Sequence, residues 1–291
     1  MSVNEKRSAP VCVITGPTNG IGKETAKVLT AQGFKLLLVC RSEAKGNALV
    51  AELASDDCSL VICDLSSLNS VREAAALINN TVDHIDVLIN NAGIVASSRE
   101  LSADGFELMF ATNHLGPFLL TNLLLPKLIA APQGRIVNVA SAAHGFVRKI
   151  RFDDLNYAKG FSTFGTYGHS KLCNMLMTLS LCEQLIGTDV VCNSLHPGAV
   201  STNLGTQNGW FAKAVFNFVR PFFRTAVKGA QSSIWLASSD EAIVFNDLYF
   251  YDCKPIKPKR WARDKVAADK LWLISEQLTG LAKEGESRVR L

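Results

Sequence analysis

Short apolar runs closed by turn residues alternate with segments of helical periodicity along this chain, and that alternation limits the fold more than any other feature. The runs are Val11–Thr15, Lys35–Val39, Ser59–Cys63, Val87–Ile89, Arg135–Val139, Asp189–Leu195 and Asp247–Tyr251. Strands that are apolar on both faces need cover on both faces, so they belong to a parallel sheet between helices. Residues 20–32, 67–82, 103–130, 164–187, 226–238 and 264–280 supply those helices. Right-handed crossovers then predict a doubly wound α/β sheet of about seven strands, with its ligand crevice at the carboxyl ends of the strands. No linker, repeat or low-complexity tract divides the chain. Residues 11–280 therefore read as a single domain, between a polar segment at 1–10 and a polar tail at 281–291.

Apolar residues make up 48% of the chain, enough for a large core. The formal charge of +4 is spread out except for "KPIKPKRWARDK" at 254–265, too little basic surface for a nucleic-acid footprint. The eight cysteines contain no Cys-x-x-Cys pair and read as small apolar residues in a reducing compartment. His144, His169 and His196 have neither the spacing nor the carboxylate partners of a metal site, so no metal is expected. The start "MSVNEKRSAP" shows no signal-peptide core, and the expectation is a cytoplasmic protein, with peripheral contact at a membrane surface left open. The ending Val289-Arg290-Leu291 departs from the peroxisomal Ser-Lys-Leu address at its first position.

The loop after the first run is the most informative. "VCVITGPTNGIGKETAKVLTAQG" reads as strand, turn and helix, with Gly16, Gly20 and Gly22 in the turn. Glycines let the backbone approach a pyrophosphate, and the unpaired amides and dipole at a helix start favour its charge. The spacing Gly-x-x-x-Gly-x-Gly differs from the Gly-x-Gly-x-x-Gly fingerprint. Glycines alone often only make a turn. Here the turn joins a strand to a helix, which is the context that nucleotide binding requires.

"TGPTNGIG" resembles the glycine motif of the short-chain dehydrogenase/reductase family, and later segments match that family in order. They are "NNAG" at 90–93, "TNHLGPFLLTNLLL" around Asn113, "RIVNVAS" ending at Ser141, "YGHSK" from Tyr167 to Lys171, and "HPGAVST" at 196–202. The likeness runs from about residue 11 to about residue 280. "GIGKETAK", "CRS", "SKLCN" and the ending "LYFYDCK…LWLISEQLTG" resemble the retinol-dehydrogenase-like branch. Pro17, and Pro117 where that branch often has His, depart from the pattern without touching a catalytic position. The resemblance implies a Rossmann-type fold and hydride transfer between a nicotinamide and an alcohol or carbonyl carbon. It carries cofactor contacts onto Gly16, Asn19, Gly20, Ile21, Gly22, Asp64 and Leu65, onto Asn91, Ala92 and Gly93, and onto Pro197, Gly198 and Thr202, with Asp64 at the adenine edge and Thr202 at the carboxamide. It makes Tyr167 the general acid/base, Lys171 its activator and ribose ligand, Ser141 the hydroxyl holding the substrate oxygen, and Asn113 the holder of a water on the proton path. It also carries the expectation of a homodimer through residues 103–130 and 164–187.

Tyr167 and Lys171 are four apart, so a helix stacks them on one face. A Tyr and a Lys at this spacing are ordinarily a surface pair, but here they occur with Ser141 and Asn113 at predicted strand ends, where this fold places ligands. A phenol with an ordinary pKa of about 10 is a poor base at neutral pH, and a nearby cation favours phenolate. Tyr157 has no Lys four positions on and is set aside. Ser141 lacks the Gly-x-Ser-x-Gly elbow of a hydrolase.

Cofactor choice turns on the second strand, "LLLVCRS". NAD-selective members carry an acid there, whereas this chain has Cys40 followed by Arg41, whose guanidinium can pair with a 2′-phosphate. NADP(H) is the expected cofactor. Two other readings compete: a carbon–carbon double-bond reductase resembling protochlorophyllide reductase, whose extra insertion this chain lacks, and a nucleotide-bound regulatory protein without chemistry. Residues 199–228 hold Trp210, Phe211, Phe216, Phe218, Phe222 and Phe223 among Lys213, Arg220 and Arg224. That pattern predicts a lid over a lipophilic small-molecule substrate, with membrane contact and plain core packing as alternatives.

Overall fold

The computed structural model describes residues 9–200 and 224–282. Eight strands form one sheet in the order β3-β2-β1-β4-β5-β6-β7-β8. They are β1 (Val11–Thr15), β2 (Lys35–Cys40), β3 (Cys58–Ile62), β4 (Val87–Asn90), β5 (Arg135–Val139), β6 (Val191–Leu195), β7 (Tyr249–Tyr251) and β8 (Lys254–Ile256). The first seven are parallel, and β8 runs antiparallel to β7. Strand order reverses between β1 and β4, which opens a crevice at their carboxyl ends.

The helices are α1 (Gly20–Ala31), α2 (Glu43–Leu53), α3 (Leu68–Thr81), α4 (Leu108–Phe110), α5 (Gly116–Ile129), α6 (Thr163–Gln184), α7 (Ala226–Ser238) and α8 (Lys265–Thr279). A π-helical stretch, Ala111–Leu115, joins α4 to α5. The sheet is apolar on both faces, as the sequence predicts. One core cluster packs Val13, Leu37 and Leu88 against Val71, Ile78, Phe118 and Leu124 of α3 and α5. The other packs Ile14, Leu38 and Ile89 against Ala26, Leu29 and Leu236 of α1 and α7.

Three element starts differ from expectation. The helix expected from residue 103 starts at Leu108, because the buried carboxylate of Glu107 accepts from the amides of Met109 and Phe110 and caps it there. The strand expected from Asp247 starts at Tyr249, since Asp247 takes a left-handed φ of 57° and pairs with Arg263. Strand β6 begins at Val191 rather than Asp189. Helix α2 and strand β8 are additions. Pro255 sits in β8, and proline is tolerated only on such an edge strand. Asp252 and Cys253, both at positive φ, make the two-residue turn into it.

Of the two helices expected to pair with a second copy, α6 is covered within the chain along its middle, whereas α5 keeps Ile129 exposed at its end. Along α6, every residue from Gly168 to Cys182 is buried. Helix α8 lies on α6 and reaches α5 and the π-helical stretch before it, where Trp272 meets Phe118 edge-on at 4.7 Å and Ser275 bonds His114 at 2.9 Å. The stretch Leu108–Ile129 is long and apolar enough to cross a membrane, but 72% of its most apolar window is buried inside this fold, as suits a core helix.

Candidate active site

The glycine turn is built by contacts that leave no room for side chains. A Cβ on Gly22 would lie 2.3 Å from the Gly16 carbonyl oxygen, and one on Gly16, whose φ is +64°, would lie 2.9 Å from the Cα of Ala92. Asn91 ties the turn to the end of β4: its side-chain amide donates to the carbonyls of Thr15 at 2.8 Å and Gly16 at 3.1 Å. Asn19 caps α1 through Gly20 N–H. Helix geometry leaves the next amides, of Ile21 and Gly22, without carbonyl partners, which is the donor set an anionic pyrophosphate needs.

These residues line a cleft of about 460 Å³ at the carboxyl ends of the strands. Of the residues expected to bind cofactor, Gly16, Asn19, Gly20, Ile21, Gly22, Arg41, Asp64, Leu65, Asn91, Ala92, Gly93, Tyr167, Lys171, Pro197 and Gly198 all line it, as does Ser141. Thr202 lies outside the described residues, together with Trp210, Phe211, Lys213, Phe216, Phe218, Arg220, Phe222 and Phe223. Arg224 is described, and it is committed elsewhere: its guanidinium pairs with Asp252 at 2.6 and 2.7 Å and stacks on Tyr251. A bridge between Val200 and Arg224 brings the two ends of that segment together, and Val200 lines the cleft.

Ser141 and Tyr167 reach the cleft from different elements held in close register. Ser141 ends the loop after β5 and caps a 3-10 turn, Ala142–Phe146, by accepting from Ala143 N–H at 3.1 Å. That turn rests on α6 at Gly168, where a Cβ would lie 2.6 Å from the Ala143 carbonyl oxygen. The residue after Tyr167 must therefore be glycine for the turn to approach. Burial pushes the Tyr167 phenol above its ordinary pKa, and the Ser141 hydroxyl facing it opposes that rise. The expected depression by Lys171 is thus not what the protein alone produces. Lys171 lies 5.8 Å from the centre of the phenol ring and donates to the Val139 carbonyl at 2.9 Å. Its own burial lowers its pKa to about 8.

Asn113 occupies the π-helical stretch, next to the cleft-lining Thr112. Its side chain exchanges two bonds with the backbone of Ile94, accepting from N–H at 2.8 Å and donating to C=O at 3.0 Å. It also donates to Ser170 Oγ, which in turn donates to the Tyr167 carbonyl. The side-chain amide is therefore committed to bracing the loop after β4 against α6. Both amide hydrogens are used, so a water at this residue would have to donate to it rather than accept from its side chain.

Sequence reasoning missed Thr18, Ser42, Lys45, Ile94, Val95 and Thr112, which line the same cleft. Ser42 and Lys45 had a readable signal, because Ser42 followed by Glu43 is a helix start and Ser42 does cap α2. With Arg41 they put two cations and a hydroxyl at the end of β2. Asp64 opposite is already engaged, accepting from both N–H and Oγ of Ser66 and standing 3.9 Å from Arg41. The histidines pack and bond rather than cluster. His196 lies flat on Tyr251 at 4.3 Å, His169 accepts from Arg151 N–H, and among the described residues no group of ligating side chains could hold a metal ion.

Comparison with known proteins agrees with this geometry. A family model described as short chain dehydrogenase matches residues 10–210. Retinol dehydrogenase 14 of Homo sapiens is 40% identical, covering 93% of this chain and 86% of its own. Retinol dehydrogenase 12 of Mus musculus is 37% identical, covering 97% and 90%. Among solved structures, an uncharacterized protein from Mycobacterium Paratuberculosis superposes with a TM-score of 0.77 at 36% identity, covering 93% of both chains. A 3-ketoacyl-(acyl-carrier-protein) reductase from Brucella melitensis complexed with NADH shares the fold, with a TM-score of 0.66 at 22% identity, covering 83% of this chain and 95% of its own. The chain belongs to the short-chain dehydrogenase/reductase family, in its retinol-dehydrogenase-like branch, and is an oxidoreductase of that family using a nicotinamide cofactor.

Proposed function

We propose that this chain is an NADP(H)-dependent oxidoreductase acting on a lipophilic alcohol, aldehyde or ketone, with Tyr167 handling the proton. One observation carries the reading: Ser141, Tyr167 and Lys171 converge in the cleft that the glycine turn opens. A nicotinamide cofactor, when bound there, supplies or accepts the hydride. The chain's own residues do the rest. The Ser141 hydroxyl donates to the substrate oxygen and orients the carbon. The phenol of Tyr167, which burial keeps protonated at neutral pH, gives its proton to the oxygen as negative charge develops there. Lys171, fixed by Val139, holds its ammonium in the same cleft as the phenol, where it would also bind the ribose of the cofactor. Protonated Tyr167 suits the acid role and hence carbonyl reduction.

The adenosine end supports NADP(H): no carboxylate stands at Cys40, and Arg41 and Lys45 line the cleft beside Ser42, where they can pair with a 2′-phosphate. Support for a lipophilic substrate comes from the relatives, which are retinol dehydrogenases, and from an exposed aromatic pair on the turn that Ser141 caps and the helix that carries Tyr167. Phe146 and Phe164, 62% and 71% exposed, meet edge to face at 6.4 Å where the Ser141 turn passes the start of α6.

Turnover of a panel of long-chain and retinoid aldehydes with NADPH and with NADH tests the reading. NADPH is expected to give the higher kcat/KM, and a preference for NADH would overturn the cofactor assignment. Tyr167→Phe is expected to lose at least about a hundredfold in kcat while still binding NADPH. A Tyr167→Phe protein that keeps most of its activity removes Tyr167 from the chemistry.

A further inference from the structure

The basic cluster at 254–265 has no part in the scheme above, yet its middle, at Lys259 and Trp261, packs against the Ser141 turn. Its contact is His144. The imidazole Nδ1 lies 2.7 Å from the Ser141 carbonyl oxygen, which can only accept, so Nδ1 carries the proton. Nε2 receives the Lys259 N–H at 3.3 Å, so Nε2 is bare. The two contacts define one neutral tautomer. The His144 backbone N–H reaches the same Ser141 carbonyl at 3.1 Å, and the His144 carbonyl accepts from Trp261 Nε1 at 3.2 Å. The residue is 4% exposed, and its ring stands edge-on to Tyr249 at 5.2 Å. Burial pushes its pKa below the ordinary range, against the opposing pull of the Ser141 carbonyl, and the nearby Lys259 charge works with burial.

We infer that His144 is a positioning residue for Ser141. By clamping the Ser141 carbonyl from both its ring and its backbone, and by being clamped in turn by Lys259 and Trp261, it fixes where the Ser141 hydroxyl stands relative to Tyr167. The inference rests on the catalytic reading of Ser141 given above. A serine on a loop after a strand has a rotatable backbone on its carboxyl side. Two bonds to its carbonyl remove that freedom before substrate arrives, and catalytic geometry is sensitive to shifts of about 1 Å. The segment Lys259–Trp261 thereby supports the site from outside the cleft.

The test separates this role from mere space-filling. Asparagine in place of the histidine would lose the ring but set an amide donor near the Nδ1 position, whereas leucine keeps apolar bulk against Tyr249 and has no donor. His144→Asn, His144→Leu and Tyr167→Phe are assayed with NADPH and the best aldehyde of the panel, and NADPH affinity is measured by fluorescence for each. His144→Asn is expected to keep kcat within about threefold, and His144→Leu to lose about tenfold in kcat, with NADPH affinity unchanged in both. Leucine matching or exceeding asparagine would overturn the inference, as would equal losses in both accompanied by lost NADPH binding. An active Tyr167→Phe protein, or no turnover by the unmodified chain, would instead remove the catalytic reading and this inference with it.

Discussion

Lys171 holds an ammonium where the fold disfavours one. It is 3% exposed, with a single carbonyl partner at 2.9 Å, and burial lowers its pKa from 10.5 to about 8. Between those two values the unfolded chain binds the proton more readily than the folded one, so stability rises with pH across that window. Below about 8 the full penalty applies, and a shift of this size corresponds to about 3 kcal/mol. Lys171→Met removes the penalty and forfeits one hydrogen bond, worth about 1 kcal/mol. The cofactor-free variant is therefore expected to be more stable than the parent at pH 7, with the advantage shrinking toward pH ~10, while turnover is lost. Thermal unfolding of both proteins at the two pH values checks this. A variant less stable at pH 7 would show that the ammonium is better solvated than its burial indicates. That Tyr167 and Lys171 share one helix face was legible from their spacing, and their roles from the family resemblance, but the direction of the phenol's shift was not. A cation four residues away suggests depression, and only the packing around Tyr167 shows that desolvation wins.

Elements were legible wherever their apolar pattern was continuous, which is why the seven parallel strands and the helices flanking them agree with the sequence reading to within a few residues. Helix α2 was missed because its buried face is short, with only Gly46 and Leu49 buried. Strand β8 was missed because all its residues are exposed and one is proline. The commitment of Asn113 to Ile94 and Ser170 was equally hidden, since it depends on a π-helical stretch that no periodicity marks. Contact between elements sets the catalytic register, most tightly at Gly168, where the 3-10 turn bearing Ser141 meets the helix bearing Tyr167. A side chain there would push against the Ala143 carbonyl oxygen, 2.6 Å from the Cβ, and against Phe146. Gly168→Val is expected to cost about 1–3 kcal/mol of stability through overpacking and to reduce kcat more than it raises KM for NADPH. Denaturant melts and steady-state kinetics read the two effects. Unchanged stability together with unchanged kcat would mean that turn and helix can separate without consequence.

At the scale of the whole molecule, α8 decides which surfaces are left for other partners. The sequence marks residues 264–280 as a helix but cannot say where it docks, because docking depends on residues far away in the chain. In the fold it covers α6 and the adjoining end of α5. Trp272 fills the space beside Phe118, Ser275 bonds the buried His114, and Thr279 presents its carbonyl to Arg72 of α3. Helix α6, buried on every side from Gly168 to Cys182, keeps no face for a second copy. A homodimer of the kind expected through residues 103–130 and 164–187 would have to displace α8 to use the middle of α6. Displacement would uncover Trp272, Leu271 and Ile274, at a cost of roughly 1.5–3 kcal/mol for each large apolar side chain, before any new contact formed. The chain is therefore expected to sediment as a monomer at micromolar concentration. Trp272→Ala, which leaves a cavity against Phe118, is expected to lose about 3–5 kcal/mol of stability and to lower Tm accordingly. Sedimentation velocity and thermal melts of the two proteins measure both. A dimer of the unmodified chain that persists on dilution below micromolar concentration would overturn the monomer assignment. Trp272→Ala with an unchanged Tm would show that α8 is only loosely held over the helices it covers.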